Sequence, residues 1–297
     1  MRVNPNIAPD LLNNLNQIEL QQQQAEIQLS TGRRVNMPSD DPAAAAADVE
    51  DQAEQSITDQ YLQNTSSLEG LLQTADSTLS SVVTSLNQAV SLGTEGANGD
   101  LSASDRQTIT QQVQGIQQSV LQLANVSYQG SYIFSGTKST TPPFALDPTQ
   151  ADGVVYNGNT ATNNVQIADG RSIQINLPGS QVFQGAGGDI FGALQQLVTA
   201  LQSGNTTNIG AATTQVSTAL NYLSDQRVFY GNAVDQLNSN QSFLQQEQVN
   251  LQSEDNTLVG ANMAQVSTNL AQTQTAQSAA LAALARVIPQ SLLDYLK

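Results

Sequence analysis

The sequence predicts a mainly α fold: a discontinuous antiparallel coiled-coil or helical bundle built from both chain ends, with a small β-rich domain inserted between them. Three observations lead there. Apolar residues recur in steps of three and four over long stretches at both ends. The period shortens to two between about Tyr132 and Leu177. Gly and Pro cluster where one pattern gives way to the next.

The first helix is carried by Leu11, Leu15, Ile18, Ala25 and Leu29, with Gln22 as the one polar seam position. Gly32 supplies the stop, and Arg33 and Arg34 lie near the helix's negative end. In Met37-Pro38-Ser39-Asp40-Asp41-Pro42, Asp41 suits an N-cap and Pro42 the first helical position. The alanines at 43–47 then launch a long helix with the seam Leu68, Leu72, Ala75, Leu79, Val82, Leu86, Ala89. Gly93, Gly96 and Gly99 end it. Ser102 and Asp105 form a capping-box spacing for a third helix, with the seam Ile109, Val113, Ile116, Val120, Leu123.

The strand-like runs are Val154-Val155-Tyr156, Val165-Gln166-Ile167 and Ile173 to Leu177, with Asn157-Gly158 and Asp169-Gly170 as expected hairpin turns. A short helix from Ile190 to Leu201 stops at Gly204. Helical spacing returns in Ile209, Val216, Leu220, Leu223, Tyr230, Val234, Leu237, Leu244, Leu251, interrupted by Arg227. A last seam runs Val259, Met263, Val266, Leu270, Ala280, Leu284, Val287, and Pro289 is expected to break it.

These elements divide into a terminal coiled-coil domain (1–40 with 255–297), a helical bundle (41–131 with 205–254) and an inserted α+β domain (132–204). Two paired helices leave their stripes half covered, and each buried Leu is worth roughly 1.5–3 kcal/mol. Repeated copies would supply the cover. Leu11, Leu15, Ile18 and Leu29 at one end, with Val266, Leu270, Leu284, Val287, Leu292 and Leu293 at the other, are therefore the candidate assembly interface. Gly32, Asp41 and Pro42 shape the loop and cap between helices. The insertion reads as a compact surface module whose residues 154–177 tolerate replacement by a short linker.

Composition narrows the function. Acidic residues outnumber basic ones 25 to 9, for a net charge of −16. Without a basic stripe, neither phosphate backbones nor anionic lipid surfaces are matched. The chain has no Cys and no His, which removes disulfides, thiolates and the usual zinc ligands. The polar N-terminus shows no cleavable secretory signal, and no apolar run nears the ~18 residues of a membrane span. No cofactor is called for.

Other sites reduce to simpler roles. Asp40-Asp41 reads as a cap before a carboxylate pair. Gly185 to Asp189 lacks the Lys and spacing of a phosphate loop. Four Asn sequons, at Asn64, Asn125, Asn205 and Asn240, are what an Asn/Ser/Thr-rich chain holds by chance. Arg227 is either an ion-pair partner or a stem laid along the seam. A glycan-acting enzyme would need paired carboxylates, and Asp147, Asp152 and Asp169 all sit in turn-like contexts. A surface adhesin is a third reading.

The stretch Ser30-Thr31-Gly32-Arg33-Arg34-Val35-Asn36-Met37-Pro38-Ser39-Asp40-Asp41-Pro42-Ala43 resembles the N-terminal signature of the bacterial flagellin family, and more closely that of its hook-associated members. Flagellins proper tend to place Ser-Ala before Asp-Asp, followed by Ala-Ala-Gly. Three further stretches agree in order: Leu121 to Asn125 through Tyr132-Ile133-Phe134-Ser135-Gly136, then Gly187-Gly188-Asp189-Ile190-Phe191 with Leu194, then Gln290 to Leu296. The resemblance covers nearly the whole chain and is weakest over 137–184.

It implies a structural, non-enzymatic role at the hook–filament junction, as a homo-oligomeric ring between hook-associated protein 1 and flagellin. It also implies passage through the flagellar type III export apparatus, with an export chaperone on the C-terminal helix. A short flagellin forming the filament itself is the alternative.

Overall fold

The computed structural model describes residues 7–295, with side chains over residues 9–285. Helix α1 (Ile7–Thr31) ends at Gly32, whose φ of +71° is a conformation that disfavours any Cβ. Helix α2 spans Pro42–Gly96. Asp41 caps it as expected: its Oδ1 accepts the Ala44 N–H at 3.1 Å. Helix α3 (Ala103–Ala124) starts at Ser102, whose hydroxyl accepts the Asp105 N–H and donates to the Asp105 carboxylate.

The strands form four separate antiparallel pairs: β1 (Ser127–Tyr128) with β2 (Ser131–Tyr132), β3 (Phe144–Leu146) with β4 (Val154–Tyr156), β5 (Asn164–Ala168) with β6 (Arg171–Gln174), and β7 (Gln184–Gly185) with β8 (Gly188–Asp189). The Asp169-Gly170 turn is where the sequence places it, with Gly170 at φ +64°. Asn157-Gly158 is not a hairpin turn. Strand β4 pairs backwards with β3, and the chain reverses over residues 147–153. Residues 144–146 are too short a run to show a period of two.

Short helix α4 (Gly179–Phe183) precedes β7, and α5 (Ile190–Ser203) follows β8. Asp189 caps α5 through the Gly192 N–H at 2.9 Å, and Gly204 ends it at φ +68°. Helix α6 (Thr206–Val259) carries the whole Ile209-to-Leu251 seam without a break. Helix α7 (Met263–Tyr295) continues through Pro289, which was expected to interrupt it. One proline forfeits one N–H bond, and helical spacing persists beyond it in Leu292 and Leu293.

The chain forms two compact units. One is made from the segments ending at Thr58 and beginning at Gln246; the other is Asp59–Gln245. In the central unit α2 and α6 pair antiparallel, as Thr65 opposite Asn240 and Asp76 opposite Arg227 show. Arg227 is an ion-pair partner, its fork gripping the Asp76 carboxylate at 2.9 and 3.0 Å.

One core fills the central unit. Leu72, Leu79 and Val82 of α2 share it with Val113 of α3, Leu197 of α5 and Leu223 of α6. Phe144 packs against Phe183 at 5.4 Å and Phe191 at 5.2 Å between ring centres. Val154, Ile167, Ile173 and Leu177 belong to the same core. Replacing residues 154–177 by a linker would therefore strip cover from the helices, contrary to the tolerance expected of a surface module.

Candidate assembly interface

Two interruptions of helix meet in the terminal unit. The loop after α1 and the break between α6 and α7 form an isolated antiparallel bridge, Arg33 to Gly260. The Arg34 N–H donates to the Val259 carbonyl, and the Ala261 N–H to the Gly32 carbonyl at 2.9 Å. Arg34 also reaches the Leu258 carbonyl at 2.8 Å and Asp41 at 3.2 Å. The Ala44 N–H, then Arg34, hold the Asp41 carboxyl below its ordinary range. That support exists above the unfolded pKa and is lost as pH falls through the lowered one. The neighbouring carboxylate of Asp40 accepts the N–H groups of Asn36 and Met37, both at 3.0 Å. The Asp40-Asp41 pair is thus a turn and a cap.

Arg33 bridges α2 and α6. Its Nη2 lies 2.6 Å from Asp48 and 3.5 Å from Asp255. The second contact is attractive, but Asp255 Oδ1 is buried without a hydrogen bond. Asp48 and Asp255 thus meet on one guanidinium nitrogen. Burial works to raise the Asp48 carboxyl, yet bonds from Arg33, Asp255 and Gln52 leave it below normal. Burial first, then Asp48, pushes Asp255 up. A raised carboxyl contributes stability below its unfolded pKa, and that contribution fades as pH rises through the folded one. Asp255→Asn, which keeps a donor toward Asp48 without the charge, is expected to raise the melting temperature at neutral pH. The gain should vanish in acid, where Asp255 is itself protonated. Thermal melts at both pH values check this; a gain that persists in acid would contradict it. Local spacing shows Arg33 only as a helix-dipole partner, because Asp255 is too distant in the chain to leave a local signal.

Helices α1 and α7 lie antiparallel within this unit, flanking a groove of about 520 Å³ lined by Gln21, Gln24, Gln28 and Gln272 among others. The candidate interface residues point largely into this pair. Val266 and Leu284 are buried, and Leu11, Leu15, Ile18, Leu29 and Leu270 are half-buried. The side chains of Val287, Leu292 and Leu293 lie outside the described residues. Met263, placed on the seam by spacing, is exposed instead. Gln22 donates to Glu26, while its own Oε1 is buried without a partner.

A second apolar set on the same helices has no cover in the described residues. Leu12, Leu20 and Ile27 of α1, Val49 and Ile57 of α2, Val249 of α6 and Leu281 of α7 are each at least 45% exposed. Spacing by seven and eight, as in Leu12, Leu20 and Ile27, is the signal that could have found it.

No catalytic constellation emerges among the described residues, and no three metal-ligating side chains gather there. Asp147 turns its carboxylate to the Thr149 hydroxyl and N–H. Asp152 receives Gln184 at 2.6 Å. Gly185, Gly187 and Gly188 pack on the Tyr222 side chain, so the glycine-rich stretch serves close packing and has no room for phosphate. No helix among the described residues is long and apolar enough to cross a membrane.

Comparison with known proteins gives a consistent assignment. The bacterial flagellin N-terminal helical region matches residues 3–139, and the bacterial flagellin C-terminal helical region matches residues 193–296. Flagellar hook-associated protein 3 of Salmonella typhimurium is 34% identical over 157 residues, covering 52% of this chain and 48% of that protein. The chain thus spans about half the length of the curated relatives it matches. FlgL of Bacillus cereus shares the fold at a TM-score of 0.61 and 22% identity, over 70% of this chain and 99% of that one. Flagellar hook associated protein-3 of Legionella pneumophila does so at 0.64 and 16%, over 70% and 98%. The chain belongs to the bacterial flagellin family and is homologous within it to flagellar hook-associated protein 3.

Proposed function

We propose that the protein is a structural component of the bacterial flagellum that forms a ring of like subunits at the hook–filament junction. Its partners there are hook-associated protein 1 on one side and flagellin on the other. In this reading the unit made from the two chain ends does the assembling, and Asp59–Gln245, the helical bundle with its inserted domain, supports it. The observation that carries this reading is the uncovered apolar set, Leu12, Leu20, Ile27, Val49, Ile57, Val249 and Leu281, gathered in the unit made from the two chain ends. A surface of this kind is covered in an assembly or not at all. The homology to a hook-associated protein selects which assembly.

The place of action is extracellular, reached through the type III export apparatus, with a chaperone covering the C-terminal helix beforehand. Deleting the gene should leave cells with hooks, no filaments, and flagellin shed into the medium, as seen by electron microscopy and blotting. Filaments of normal length on the deletion strain would overturn the proposal. Purified protein that polymerises alone into long filaments would assign it to the filament.

A further inference from the structure

Two Asn-Gly pairs, Asn98-Gly99 and Asn157-Gly158, sit in very different surroundings. We propose that Asn98 is a site of spontaneous, self-catalysed deamidation, and that Asn157 is protected from the same reaction by the fold.

The chemistry needs no enzyme. The Gly99 backbone nitrogen attacks Cγ of Asn98, forming a five-membered succinimide. The Cγ–amine bond breaks, and ammonia leaves with the proton that Gly99 gives up. Water then opens the ring at either carbonyl, leaving aspartate or isoaspartate. The net change is one water consumed and one ammonia released, with no change of oxidation state.

The turn after α2 suits each step. Asn98 is exposed, and its side-chain Oδ1 accepts the Asp100 N–H at 3.3 Å. That bond polarises the carbonyl under attack and steadies the charge that develops on its oxygen. The Asn98 N–H donates to the Glu95 carbonyl at 3.0 Å, but beyond it the turn is closed by one long backbone bond, Leu101 N–H to Asn98 O at 3.3 Å. Nothing lies within 4 Å of where a Gly99 Cβ would stand, so the backbone has space to swing into the ring.

Asn157 has the same neighbour but not the same freedom. Its N–H donates to the Pro143 carbonyl at 2.7 Å, and its carbonyl accepts Lys138 Nζ at 3.3 Å. The Asn159 N–H is tied to Ser135 O at 3.1 Å. Gly158 is boxed in by the Tyr156 ring and the Ser135 carbonyl, the latter 2.7 Å from a Cβ built there. Closing a succinimide would break these contacts together.

Deamidation adds a negative charge to the α2–α3 turn, and isoaspartate also adds a carbon to its backbone. In an extracellular assembly, which rests on the proposed function, such changes would accumulate with age. The chemistry itself does not depend on that reading.

Full-length protein would be held at mildly alkaline pH and sampled for peptide mass spectrometry, with fragmentation that separates aspartate from isoaspartate. Folded protein should convert at Asn98 well before Asn157, and unfolding in denaturant should bring Asn157 to a similar rate. Gly99→Ala fits the open space without disturbing the fold, and should slow conversion at Asn98 roughly tenfold by restricting the backbone. Conversion at Asn157 as fast as at Asn98 in folded protein, or a Gly99→Ala variant that converts at the parent rate, would overturn the proposal.

Discussion

Leu284→Asp is expected to abolish junction assembly and also to loosen the α1–α7 pair. Leu284 is 7% exposed on α7, in the unit made from the chain ends. A carboxylate there has no cation to meet among the described side chains of its own helix, and stranding a buried charge costs about 3–5 kcal/mol. Leu284→Ala should be milder, about 2–5 kcal/mol when the cavity stays unfilled. Gln277→Ala removes no apolar contact and serves as control. The informative companion is Leu281→Asp. Leu281 is 51% exposed on the same helix, so the monomer should keep its helix content and melting temperature. Its assembly should nevertheless fail if the uncovered face is what neighbouring subunits bury. Circular dichroism reads the first property and microscopy of complemented cells the second. Chaperone affinity by calorimetry would show whether the same face serves before export. Normal filaments from Leu281→Asp would mean that the exposed face is merely solvated. Normal filaments from Leu284→Asp would remove the seam from the interface altogether.

The second large effect lies in the central unit. Tyr230 on α6 is completely buried, edge-on to Phe134 at 6.5 Å and to Phe229 at 5.2 Å between ring centres. Its hydroxyl accepts the Leu177 N–H at 3.3 Å, and burial pushes the phenol far above its ordinary pKa. Tyr230→Ala empties the place where α6 meets the chain between β6 and α4. The expected loss is about 3–5 kcal/mol, or on the order of 10 °C in melting temperature for a unit of this size. Tyr230→Phe keeps the ring and strands only one buried N–H, for about 1–3 kcal/mol. Equal melting temperatures for the two variants would place the contribution in the hydroxyl and not in the packing.

What could be read in advance was local. The seams on α2, α3 and α6, the caps at Asp41 and Ser102, the stops at Gly32 and Gly204 and the Asp169-Gly170 turn all follow from neighbours within a few residues. The family signature was local too. What escaped depends on partners distant in the chain. Arg227 gave no sign of choosing Asp76, nor Arg33 of joining Asp48 to Asp255, because charge pairing across two helices leaves no periodicity. Strand β3 was invisible because three residues cannot display an alternation, and without it Asn157-Gly158 passed for a turn. The candidate site was legible as a set of helices but not as a face. Spacing found the stripe that α1 and α7 turn toward each other, while the exposed stripe beside it is sparser and interrupted by Gln and Asn. The depth of the insertion's residues in the core was also hidden, since short apolar runs look alike whether they cover a hairpin or a bundle.

The four hairpins have a bearing on what the protein avoids. Each sheet has only two strands, and the longest strand among the described residues, Asn164–Ala168, has five residues. Every strand therefore keeps an unpaired side, but none offers a neighbour more than a few hydrogen bonds in register. Edge-to-edge pairing between copies, the usual route to amyloid-like aggregates, gains little from so short a template. The exposed apolar residues of α1, by contrast, recur over several turns, at Leu12, Leu20 and Ile27. In the proposed assembly, association through the helices would therefore outcompete association through strands, and the insertion could carry β structure without diverting subunits from ordered growth.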